Sequence, residues 1–200
     1  MTDEKPLDAA LVQRFETTLQ NGSAGLRIRR DDPGMGLKLL TRFNALKAYQ
    51  RLYVHSVTEL RGARDSFFVL LIEHHQHGRR EHDHEEVEPV LIFSLPQDIG
   101  RVVIKPETLG DKLVDLIARI DIDFDAYPIF SRNYYVVGEK PELVRDQLPV
   151  NLIEALKDTK GCTVEINGRW GLLRMEKGFS EETLLVLMKV GAKMVAAVQS

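Results

Sequence analysis

A single cysteine, Cys162, leaves this 200-residue chain without an internal disulfide. That shortage suits a reducing compartment and points to the cytoplasm, with the lone thiol expected to pack as a small apolar group. Long apolar runs are also missing. No stretch approaches the roughly 18 residues needed to cross a bilayer, so no transmembrane segment is expected. Residues Met1–Pro6 are charged and lack the apolar centre of a secretion signal. An excess of one charge is absent as well, since 27 basic residues face 30 acidic ones for a net charge of −3. Such a balance provides no general field for nucleic acid, which is not expected as a partner.

What is present is patterned for one core, with 44% hydrophobic residues over a length suited to one domain, residues 1–200. Leu7, Leu11, Phe15 and Leu19 recur every fourth position, giving a docking helix within residues 1–22 that Asn21-Gly22 stops. Gly25–Arg30 reads as a short strand, Asp31-Asp32-Pro33-Gly34 as a turn, and Leu37–Tyr49 as a helix with Leu39, Phe43 and Leu46 inward. Strands are expected over Leu52–Leu60, Ser66–Glu73 and Val87–Leu95, the last two apolar on both faces as in the middle of a sheet. Arg101–Ile104 adds a strand, Leu109–Ile120 a helix, and Phe130–Val137 another strand.

Farther on, Pro141 opens a helical segment that Pro149 interrupts. Cys162–Ile166 and Arg169–Met175 flank Asn167-Gly168, a dipeptide suited to the positive φ angles of a hairpin turn. Ser180 caps the last helix, whose face carries Leu184, Leu187, Met188, Gly191, Val195 and Val198. Hairpin-joined strands with interspersed helices predict an α+β fold, mainly an antiparallel sheet with helices packed mostly on one face.

The pattern Asp121-Ile122-Asp123-Phe124, followed by Pro128, Phe130-Ser131, Tyr134-Tyr135 and Gly138, resembles a family of uncharacterised bacterial proteins. The likeness extends over Leu95-Pro96, Lys105-Pro106-Glu107, Val144-Arg145, Val164-Glu165-Ile166-Asn167-Gly168 and Leu172-Leu173-Arg174. Longer members are often membrane-anchored, and no activity, cofactor or catalytic residue is assigned to the group. The resemblance therefore implies a shared fold without a reaction.

The histidine-rich stretch His74–Glu86 is expected to form an exposed hairpin tip. If the turn is two or four residues long, His75, His77, His82 and His84 fall on one face. Clustered imidazoles in that arrangement suit zinc, nickel or copper. A solvated loop, an odd-length turn or a bulge would scatter them. Asp121, Asp123 and Asp125 imitate the opening of a calcium loop, but Ala126 and Arg132 stand where its glycine and glutamate belong. Gly34-Met35-Gly36 imitates a phosphate loop, with Leu39 in place of the last glycine and Asp31 and Asp32 repelling an anion. Cys162, Ser131, Ser180 and His55 are the remaining parts for nucleophilic chemistry, and none sits in a nucleophile elbow.

These readings favour a noncatalytic cytosolic binding or regulatory module without a catalytic residue or a required cofactor. The alternatives are a transition-metal protein using the histidine hairpin and an enzyme whose site is assembled from distant residues. Self-association, or a protein partner, would use a sheet edge or the terminal helix.

Overall fold

Asp8 and Asp32 each accept a backbone N–H two residues ahead, those of Ala10 at 3.0 Å and Gly34 at 2.7 Å, and so start the first two helices. These are α1, Ala9–Gly22, and α2, Pro33–Leu40. The computed structural model describes residues 7–49, 51–62, 65–76, 84–107 and 121–195. Its strands are β1 Arg27–Asp31, β2 Arg51–Arg61, β3 Ser66–Gln76, β4 His84–Ser94, β5 Arg101–Pro106, β6 Tyr134–Gly138, β7 Cys162–Asn167 and β8 Trp170–Met175. The later helices are α3 Pro128–Asn133, α4 Pro141–Gln147, α5 Val150–Leu156 and α6 Glu181–Val195.

All eight strands join one antiparallel sheet in the order β1-β2-β3-β4-β8-β7-β5-β6. The first four form a meander, and β8 from the last hairpin seals it to the remaining strands along Val90↔Arg174 to Ser94↔Trp170. Alternation along β3 sends Phe67, Val69 and Leu71 to one face and Leu70 and Ile72 to the other. The first face holds the larger core, where α1 and α5 pack against α6 and α6 packs on β3, β4 and β8. A full side chain such as Phe15 or Phe67 buried there contributes about 1.5–3 kcal/mol. Gly191 of α6 lets the helix approach Phe67, whose ring atoms would lie 2.5–2.7 Å from any added Cβ. The α+β architecture, with helices mainly on one face, is thus the one expected.

The second face is covered by α2 and residues 41–49, which bury Leu39, Leu40, Phe43 and Leu46 against Val57, Leu70, Ile72, Val90, Ile92 and Leu172. This segment differs from the expected helix over Leu37–Tyr49. Its helix starts earlier, where Pro33 follows the Asp32 cap, and ends at Leu40. Beyond it, the Glu165 carboxylate takes the N–H groups of Asn44 and Ala45 at 2.7 Å each, donors that a continuing helix would use internally. A second correction concerns Phe130. The strand expected there begins only at Tyr134, because Pro128 opens the short helix α3.

The Asn167-Gly168 hairpin forms as expected, with Gly168 at φ +65°. The expected helix Leu109–Ile120 and the position Val198 lie outside the described residues. Among the described residues, no helix is long and apolar enough to cross a membrane.

Candidate functional site at the histidine-bearing end of the sheet

The distal ends of β2, β3 and β4 carry polar residues on both faces, at positions where nearer the middle the same strands carry core side chains. The register there decides which histidines can meet. Gln76 lies opposite His84 and His75 opposite Glu85, so an odd number of residues connects the strands. This is the odd-length alternative, in which the histidines do not all share a face, and positions 75 and 84 fall on opposite faces of the ladder. His77 and His82 lie outside the described residues. Among the described residues, no group of three or more His, Cys, Asp or Glu is arranged to hold a metal ion.

On the helix-covered side, His75 meets a different histidine's partner. Glu73 bridges two imidazoles, with Oε1 3.2 Å from His75 Nε2 and Oε2 2.9 Å from His55 Nε2. A bulge makes this triad. Val54 pairs with Ile72 and Ser56 with Leu71, so His55 is an extra residue in β2, free to turn toward Glu73. Tyr53 closes the cluster, its ring 5.9 Å from His75 and nearly perpendicular to it. All three members of the triad are partly buried, and the shared carboxylate orients both rings.

On the other side, Tyr49 from the covering segment stacks on His74. Arg174 of β8 reaches the same place, donating from Nη2 to Tyr49 Oη and to Glu88 Oε1, both at 2.5 Å, and from Nε to Glu88 Oε2 at 3.3 Å. Its guanidinium also lies 5.4 Å from the Tyr49 ring centroid. His74 is 3% exposed, and its Nε2 is 3.1 Å from Glu88 Oε1 yet misaligned, so neither ring nitrogen makes a hydrogen bond among the described residues. Burial raises the Tyr49 hydroxyl above its ordinary range against the opposing pull of Arg174. Burial also works against the charge on Arg174, but Glu88 and Tyr49 outweigh it and hold the guanidinium protonated.

The other candidates are occupied structurally. Cys162 is buried, with its Sγ 3.1 Å from Met175 Sδ, and burial pushes the thiol up to about 12 despite a hydrogen bond with Tyr134. Ser131 Oγ accepts from Phe124 N at 2.9 Å, and Ser180 Oγ caps α6 by accepting from Thr183 N at 3.0 Å. Asp121 accepts from Val136 N at 3.1 Å, and burial raises its carboxyl above the ordinary range, the reverse of a calcium ligand's need. Gly34 and Gly36 belong to α2, and the Gly34 amide is taken by Asp32.

The clusters around Glu73 and Glu88 were not expected from the sequence. One signal for the second existed: His74 and Glu88 interrupt apolar alternations that include Leu70 and Ile72 in β3 and Val90 and Ile92 in β4. The Glu73 triad had no comparable signal, because its third member depends on the bulge.

No family model matches the chain, and no curated protein matches it. Among solved structures, it is similar to the mycobacterial trehalose monomycolate transport factor A, TtfA, at 13% identity and a TM-score of 0.49, over 96% of this chain and 99% of that one.

Proposed function

We propose that this chain is a noncatalytic cytosolic module that acts by binding or regulation. The carrying observation is that the chemistry-bearing groups at the hairpin end engage one another. His55 and His75 share Glu73, and Glu88 takes Arg174, so these groups brace the strands rather than converge on a common reacting position. Panels of phosphoester and carboxylester reporters test the reading against wild type and a His55→Ala/His75→Ala double variant. No histidine-dependent turnover is expected. Turnover in wild type that disappears in the folded double variant would overturn it.

Transition-metal binding is the second reading, favoured by the two imidazoles already gathered on Glu73 at the base of the histidine-rich tip. Titration calorimetry of metal-stripped protein with zinc and nickel distinguishes it. Saturable heat that His75→Ala removes supports a metal site, and a flat trace eliminates it.

A further inference from the structure

At the opposite end of the long strands, β1 forms an exposed edge of the sheet, with the sequence Arg27-Ile28-Arg29-Arg30-Asp31. Its register places Arg27 directly opposite Arg61 and Arg29 opposite Glu59. By alternation these residues and Asp31 share one face. Like charges directly across an antiparallel pair destabilise it, so the Arg27–Arg61 pairing requires an explanation. Charged side chains on an edge commonly deter sheet-to-sheet association. That role is filled by any charge and does not require two cations to be set against each other.

The cluster has an internal organiser. Glu59 is 3% exposed, and its carboxylate oxygens lie 3.0 Å from Arg29 Nε and 2.9 Å from Arg61 Nε. Burial opposes its charge, but hydrogen bonds from Arg61 and Ser66 and the charge of Arg29 outweigh that penalty and lower its pKa. Arg29 also reaches Asp31 at 3.0 Å. Arg27 makes no side-chain ion pair or hydrogen bond among the described residues. Among the described residues on this face, three guanidiniums, Arg27, Arg29 and Arg61, therefore stand with two carboxylates, Glu59 and Asp31, an excess of one positive charge. Glu59 contacts Arg61 through Nε, at the inner side of the guanidinium, and the Arg61 side chain remains 54% exposed. Planar guanidinium forks of this kind match the oxygens of phosphate.

We propose that Arg27 and Arg61 form a binding subsite for a phosphate group, in which Glu59 holds Arg61 and Arg27 stands opposite it in the register. An oxyanion between the two guanidiniums converts the like-charge pairing into a bridged one. The subsite is independent of the histidine-bearing end and of whether that end binds a ligand.

Inorganic phosphate titrated into the full chain at matched ionic strength tests the proposal, followed through the amide resonances of Arg27, Arg61 and Gly62. Saturable shifts are expected for wild type, weakened about 10-fold in Arg27→Ala. Arg27→Glu should abolish saturation while raising the phosphate-free thermal midpoint, because it replaces a like-charge pair with an opposite one. That rise also shows that the variant folds. A second arm uses flotation with phosphatidylcholine vesicles with or without phosphatidic acid. Retention by phosphatidic acid that Arg27→Glu removes assigns the phosphate to a lipid headgroup, and saturation by inorganic phosphate without retention assigns a soluble phosphate ester. No saturation and no retention, or equal responses from wild type and Arg27→Glu, would overturn the subsite.

Discussion

Tyr49 lies flat on His74, with ring centroids 3.8 Å apart and planes inclined by 10°. This contact joins the end of the covering segment to the distal end of β3, beside the Arg174–Glu88 pair. Tyr49→Ala removes both the stacked ring and the acceptor for Arg174, and should cost about 3 kcal/mol in urea unfolding. Tyr49→Phe keeps the stack and loses only the hydroxyl, so its cost should be about 1 kcal/mol. Equal losses for the two variants would show that the stack contributes little.

Cys162 should resist modification for as long as the fold is intact. Its thiol is buried and pushed up to about 12, so almost none is thiolate at pH 8. A disulfide reagent such as DTNB should react only at the rate of opening, and immediately in denaturant. Prompt stoichiometric reaction in native buffer would contradict this.

Much of the central fold was legible because the hydrophobic pattern alone determines it. In β3 and β4 apolar residues on both faces announce interior strands, and Asn167-Gly168 announces the β7–β8 turn. The candidate site was less legible because each cluster depends on a relation between distant segments. His55 reaches Glu73 through a bulge that exists only against β3, and Tyr49 reaches His74 from a non-helical segment whose Asn44 and Ala45 N–H groups are taken by the distant Glu165. The histidine parity depended on the length of a turn, and one residue more or less exchanges the faces.

Glu59 supplies a pH dependence of defined sign. Its folded pKa lies below the ordinary value of 4.5, so its contribution is present above that value and is lost as pH falls through the folded pKa. Urea midpoints measured between about pH 6 and pH 3 should therefore fall less steeply in Glu59→Gln than in wild type. An unchanged slope would mean that the carboxylate is not stabilised by its arginines in solution.

Two glycines should tolerate no side chain. A Cβ at Gly171 would lie 2.0 Å from Phe93 Cζ, and one at Gly191 would lie 2.5 Å from Phe67 Cε2. Both rings are packed in the larger core and have nowhere to retreat. Gly171→Ala and Gly191→Ala should each lower stability by about 1–3 kcal/mol, read from thermal or urea unfolding. Pairing each with a Phe→Leu change at the facing ring should recover part of the loss.

The position of β8 between β4 and β7 constrains the order in which the molecule can be completed. As the chain leaves the ribosome, the β1–β4 meander can assemble early, but the outer edge of β4 has no partner until Trp170–Met175 emerges. Val90, Leu91, Ile92 and Phe93 must wait beside that open edge while residues 95–169 are made. Protection by a chaperone, or a pause that spaces this nascent chain from its neighbours, would matter most during that interval.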